Sequence, residues 1–402
     1  MRRIIQIIAP ADPPFTPMNF TRLPIVHRFW YGGLAAGLAG FFLGFGLWLW
    51  QHGQLGIAGD YFFFKLLHAR IQIEGFVGSF LLGFALQSGP HVTGGKPPAS
   101  EILLKLLYLL WAGLALLFLP VSWLAVVGSL LVSGAYGGAG YLLLRVTLAG
   151  NPALRIPRGL PLALGMGLMA ITPWLELDDP GVALFVLWCG PVTVALVAAQ
   201  QLIQNVVGGR FLQKGTALAF ALALLAAWLV SGAAAFAGWG SWRLAGVAWL
   251  VVLAILLIGT DYPRAAWRFG WASIQVTLSL GFAYALATAS LLAVQGAMLD
   301  SAVHLLAAGM LTTLIMGVTV RVAGFFSAGA VLPDRLATIL LVAWGVIALV
   351  RAFSPVWPME ERWIALVSLL GGAILLTWGS RTAYRLSRIH LLLPESVTGR
   401  RG

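Results

Sequence analysis

Two stretches of this chain gather the residue types that can do chemistry. The first reads "LLHARIQIEGFVGSFLLGFALQSGPHVTGG". His68 and Gln72 are four residues apart and so share one face of a helix, which Gly75 and Ser79 continue. Glu74 lies deeper and roughly opposite, while Arg70 stands near one end, where its long stem can carry the charge out to a polar layer. A neutral imidazole at such a place has three roles open to it. It can bond a neighbouring carbonyl, ligate a metal ion or haem iron, or relay a proton with Glu74. Glu74 suits a carboxylic acid bonded to a nearby carbonyl or hydroxyl, because an unpaired carboxylate is costly in apolar surroundings.

The second stretch is "DSAVHLLAAGMLTTLIMGVTVRVAG". His304 comes one turn after Asp300, and Arg321 follows 17 residues later, about 25 Å further along a helix. His52 falls in a loop and could add a third metal ligand. His27, His91 and His390 sit where interfacial residues are expected. The single cysteine, Cys189, lies in an apolar run, so neither an internal disulfide nor a thiolate cluster can form. Phosphate-loop, HExxH and GxSxG signatures are absent. Gly208 and Gly209 make no nucleotide fingerprint, lacking a parallel-sheet context.

The elements that must position these residues are set by composition. The chain is 60% apolar and 9% charged, too few charges to cover a water-facing surface, and its mean hydropathy is +0.92. A span needs roughly 20 apolar residues. That length predicts twelve helices, at 29–50, 62–88, 101–119, 121–145, 159–176, 180–206, 215–237, 243–261, 271–296, 301–323, 335–353 and 362–382. Only Pro120 separates the third from the fourth. The runs are too long for barrel strands, and a backbone in lipid must satisfy its own hydrogen bonds. The fold class is therefore an all-α polytopic bundle forming one transmembrane domain. A segment over 1–28 precedes the spans at 29–382, and a basic tail over 383–402 follows them. "IIQIIAP" near the start is too short for a cleavable signal. Many of the 48 glycines fall inside spans, where small residues let helices approach.

The formal charge of +12 does not indicate nucleic acid, because Lys and Arg sit between apolar runs, and unevenly. With a cytoplasmic N-terminus the inner side holds 20 of the 25 and the outer side 5. Both termini are expected inside. His68 and His304 then lie near the outer face at the same depth, on separate spans. Two facing helices could present them to opposite faces of one haem, or to one metal ion.

Three segments resemble the NnrS family of bacterial membrane proteins linked to the nitric oxide response. The first runs from His68-Ala69 through Gly75-Phe76 and Gly83-Phe84 to Pro90-His91-Val92-Thr93-Gly94. The second is Gly208-Gly209-Arg210 in "NVVGGRFL". The third is His304, Gly309 and Arg321. Segment order and total length also agree. Departures are plain: where many members read His-Ala-His-Glu-Met, Arg70 and Ile71 replace the second His and the Glu. His91-Val92 stands for Asn-Trp, and Phe325-Phe326 follows Gly324 where Gly-His is frequent. "HARIQIEG" also resembles the opening of haem-copper-oxidase-like membrane proteins. The resemblance implies a haem protein of the bacterial inner membrane, held by His68 and His304, tied to nitric oxide tolerance or denitrification. The replaced positions speak against copper. Gln72 or Arg70 would then bond a haem propionate or a group behind the ligands. The expected partners are membrane lipid, nitric oxide or another diatomic ligand, and a respiratory or denitrification redox partner. The alternatives are a secondary transporter using Glu74 as an intramembrane carboxylate, and a scaffold whose basic tail touches anionic lipid or a partner.

Overall fold

The structure is a computed structural model that describes residues 23–51, 53, 59–119, 121–237, 241–270, 272–326, 330–354 and 361–392. Among these residues every regular element is helical. Twelve helices are long and apolar enough to cross a membrane. They are α1 (His27–Gln51), α2 (Tyr61–Thr93), α3 (Ser100–Leu117), α4 (Ser122–Ala149), α5 (Pro152–Trp174) and α6 (Pro180–Val207). α7 (Lys214–Phe236), α8 (Trp242–Gly259), α9 (Ser273–Gln295), α10 (Leu299–Ala323), α11 (Asp334–Phe353) and α12 (Ala365–Ser387) complete the set. They follow the expected order one for one. Pro120, expected to divide α3 from α4, lies outside the described residues. The last helix runs from Glu361 to Leu392 without a break, so the first ten residues assigned to a tail continue it.

Side chains fix where several spans begin. Asp60 accepts a hydrogen bond from Phe62 N at 2.9 Å, and Asn151 from Ala153 N at 3.0 Å. Asp179 accepts from Gly181 N and Val182 N at 2.7 and 2.9 Å. Each occupies otherwise unpaired donors of a first turn. Glycines end two others. Gly94 (φ 69°) stops α2 and Gly208 (φ 82°) stops α6, in the left-handed region that a side chain resists.

Successive spans pack on one another, and α12 returns to α1, closing a ring. Three spans lie most deeply inside it. In α2, α6 and α10 the apolar windows are 78, 83 and 61% buried, more than in any other span. The three recur every fourth span, and each contains a π-helical segment, at Ile71–Val77, Trp188–Val192 and Leu305–Leu311. A π turn disturbs the regular carbonyl pairing, and in lipid no water can repair it. Side chains do so here. Tyr136 Oη donates to the Glu74 carbonyl at 2.5 Å and Thr193 Oγ1 to the Trp188 carbonyl at 3.0 Å. In α10, Thr312 Oγ1 donates to Ala307 O and Trp344 Nε1 to Ala308 O, both at 2.8 Å.

Glycines govern the close approaches. On α1, Gly33, Gly37, Gly40 and Gly44 lie under Phe80, Phe76, Gln72 and His68 of α2. The register is antiparallel, and an added Cβ at any of the four would fall 2.5–2.7 Å from the side chain above it. Between α3 and α4 the contact is backbone to backbone: a Cβ on Gly128 would meet the Gly113 carbonyl at 2.7 Å. Gly134, on the same helix, would meet only Leu109 Cδ1 at 4.0 Å. Gly128→Ala is therefore expected to destabilise the protein by about 1–3 kcal/mol, and Gly134→Ala to leave it unchanged or firmer. Thermal unfolding of both variants in detergent would check this; equal melting temperatures would contradict the packing.

Candidate functional site

The helix faces that carry the two histidines open on one chamber. Its volume is about 780 Å³, within the range of cofactor and small-molecule sites. α2 contributes Lys65, His68, Ala69, Gln72 and Phe76, the 3–4 spacing of a single helical face. α10 contributes Asp300, Val303, His304, Ala307 and Ala308 in the same rhythm. α1, α11 and α12 close the sides with Phe41, Trp48, Trp344, Arg351 and Trp378. The deep end, around Leu34, Phe76 and Trp378, is apolar, and the shallow end, around Tyr61, Lys65, Asp178 and Arg351, is polar.

Each imidazole is held by its Nδ1. His68 Nδ1 lies 2.9 Å from the Gly40 carbonyl of α1, and His304 Nδ1 lies 2.8 Å from the Asp300 carbonyl one turn back. A carbonyl oxygen only accepts, so Nδ1 is the donor in both rings, and in the neutral ring Nε2 carries the lone pair. The pairing orients the rings in the way that backbone or carboxylate acceptors orient metal-bound histidines. The Asp300 carboxylate stands 3.4 Å from His304 Nδ1 and 3.9 Å from Arg351. Arg351 also donates to Ser354 Oγ at 3.3 Å and lies 5.5 Å above the Trp48 ring. Lys65 Nζ donates to the Asp178 carbonyl at 2.8 Å.

The residues singled out in the sequence separate into groups. His68, His304 and Gln72 line the chamber. Arg70, two residues and so about 200° round α2 from His68, turns instead to α5, where its Nη2 donates to the Pro173 carbonyl at 3.0 Å. Glu74 is fully buried on that same side and does not line the chamber. Gly75 packs on Ala36 of α1, where an added Cβ would stand 3.0 Å from the alanine Cβ. Pro90 and Gly94 form the stop of α2, with Gly95 N bonded to the Pro90 carbonyl at 2.9 Å. Gly208, Gly209 and Arg210 form the stop of α6 and dock on the end of α8. There Arg210 N reaches the Thr260 carbonyl at 2.8 Å, and the Arg210 side chain lies 3.8 Å from Asp261. Gly309 leaves room for the Tyr284 ring, whose hydroxyl donates to the Gly345 carbonyl at 2.6 Å. Arg321 is exposed at the far end of α10. His52 lies outside the described residues.

Lys65, Asp300 and Arg351 join the chamber without having been singled out as ligand-site groups. Lys65 had a signal, since it precedes His68 by three residues on the same face. Arg351 had a weaker one: it stands near the end of the span that follows that of His304, but nothing in the sequence says which way its side chain turns. Among the described residues no group of three or more His, Cys, Asp or Glu could hold a metal ion. The donor set is two neutral imidazoles facing a mostly apolar space.

Fold and chamber define a multi-pass membrane protein with a paired-histidine pocket at one end of its helical ring. The family model described as NnrS protein matches residues 22–389, nearly the whole chain, and the protein belongs to the NnrS family. No curated protein matches it.

Tyr284→Phe keeps the ring against Gly309 and removes the hydroxyl from the Gly345 carbonyl. Losing such a hydrogen bond costs about 0.5–1.5 kcal/mol, so this variant is expected to melt earlier. Tyr108→Phe, at a residue 63% exposed, should not. Coincident unfolding curves for the two would refute the assignment of that bond.

Proposed function

We propose that the chamber holds one haem, which His68 and His304 would ligate through Nε2, and that the protein serves the bacterial response to nitric oxide or denitrification-linked redox chemistry. The supporting observation is that histidines from two separate spans line one chamber, each with Nδ1 engaged and Nε2 carrying its lone pair. Two imidazoles, with no third ligand among the described residues, suit a planar macrocycle that supplies its own four donors better than a bare ion. When bound, haem supplies an iron that exchanges one electron and can bind a diatomic ligand such as nitric oxide.

The chain's own residues account for the rest. Lys65 and Arg351 place two cations at the polar end of the chamber, suited to the propionates, and Gln72 offers an amide along the wall. Leu34, Phe76 and Trp378 keep water from the apolar end. The Gly40 and Asp300 carbonyls hold the two rings in the tautomer that can ligate. Glu74, on which the transport reading rested, lies outside the chamber, and this favours haem over transport. The 20-to-5 distribution of Lys and Arg supports placement in the bacterial inner membrane with both ends of the chain in the cytoplasm. The chamber then opens toward the outer face, and residues 383–402 form the cytoplasmic tail. Lipid surrounds the ring, and a respiratory or denitrification redox partner would exchange electrons with the haem. Copper has no place in this reading.

Protein expressed with haem supply and purified in detergent is expected to show a Soret band. His68→Ala and His304→Ala should each lose or shift it, and Gly44→Ala should shift it by pressing on the His68 ring. Lys65→Ala with Arg351→Ala should lower the haem retained after dialysis several-fold without changing the band's position. A featureless native spectrum, or one unmoved by both histidine variants, rejects the proposal.

A further inference from the structure

A second polar cluster lies behind α2, on the side turned away from the chamber. Glu74 has no solvent exposure, and neither of its carboxyl oxygens has a hydrogen-bond partner. Nε of Arg70, one turn away on the same helix, is also buried and unpartnered. Arg70 is near enough for its charge to act on the carboxyl, yet the two form no direct ion pair among the described residues. Two hydroxyls face the same place from neighbouring spans, and both protons are already committed. Tyr136 of α4 donates to the Glu74 backbone carbonyl. Thr172 of α5 donates to the Met169 carbonyl at 2.8 Å. Neither hydroxyl therefore supplies a hydrogen to the Glu74 carboxyl.

The cluster also has a way out. Arg70 is partly exposed, and its guanidinium rests on Pro173, where the last turns of α5 tighten into a 3₁₀ segment. The acidic loop of Glu176, Asp178 and Asp179 follows directly. Glu74 lies four residues deeper along α2, about 6 Å at helical rise. Arg70 Nε is thus the unpartnered polar atom between the buried acid and the surface.

We infer that Glu74 is a proton-binding site that exchanges with water at the chamber end of the bundle past Arg70. The acid gives its proton to a water molecule arriving past Arg70, leaving a carboxylate and a hydronium ion that departs the same way; the reverse step reloads it. Arg70 stays a cation throughout and lowers the energy of the transient carboxylate, so it is a positioning residue and not a carrier. The inference does not rest on haem. If haem is present, the site sets an exchangeable charge on the face of α2 opposite His68.

Infrared spectra of the full-length protein in detergent, at neutral pH in H2O and after transfer to D2O, test this. A protonated-carboxyl band should be present, shift on deuteration within seconds to minutes, and vanish in Glu74→Gln. Arg70→Leu should keep the band and slow its deuteration at least tenfold, while Arg70→Lys should restore most of the rate. A spectrum unchanged by Glu74→Gln overturns the inference, as does a Glu74 band that stays undeuterated for hours. Exchange equally fast in Arg70→Leu overturns the route. Absence of a Soret band bears on the haem proposal alone, since the infrared result is read independently of it.

Discussion

Every carbonyl in a lipid-embedded helix must find a donor inside the protein, and the centre of this bundle is organised by that requirement. The three most buried spans all depart from α-helical pairing. Their π segments lie close to the features that matter: three residues after His68, directly after His304, and around Pro191 in α6. Each departure frees an acceptor that only a neighbouring group can satisfy. Tyr136, Thr193, Thr312 and Trp344 do so. Two of these donors, Tyr136 and Trp344, come from other spans and tie α4 to α2 and α11 to α10. The irregular helices thus recruit the neighbours that hold them in place.

The chamber follows from a second economy of space. α1 has glycine wherever α2 brings a large side chain down on it, so the helices approach until His68 Nδ1 can reach a main-chain carbonyl of the opposing helix. A side chain at Gly44 would occupy the place of the imidazole. Across the chamber His304 is held within its own helix, by the carbonyl and carboxylate of Asp300, and Asp300 is in turn steadied by Arg351. The two rings are therefore supported differently, one by packing between spans and the other by a local polar triad.

Much of this was legible in the sequence. Twelve spans, their order and the shared depth of His68 and His304 follow from hydropathy, loop charge and the count of crossings. Depth is a one-dimensional property and proximity is not, so no sequence pattern said that α2 and α10 face one another or that α11 would bring Arg351 between them. The π segments were also hidden. They change the phase of a helix by a fraction of a turn, and a run such as "IQIEGFV" reads equally well as α-helix. Arg70 illustrates the same limit: two residues from His68 in sequence, it looks toward α5. The Gly-Gly-Arg and Pro-to-Gly motifs, read as family marks, are helix stops with left-handed glycines, and their work is architectural.

The interleaving of α1 and α2 has an evolutionary side. Substitutions on the outer faces of these helices leave the meshing of glycine with side chain untouched, so drift there is tolerated. Gain or loss of one codon is another matter. A residue inserted between Gly33 and Gly44 would turn part of α1 by about 100° and bring branched side chains under Phe76, Gln72 or His68. Deleting one residue within Ile71–Val77 would rewind that segment and twist His68 away from the half of α2 that carries Phe80. Length, as well as glycine at the four contact positions, is what these two stretches have to keep.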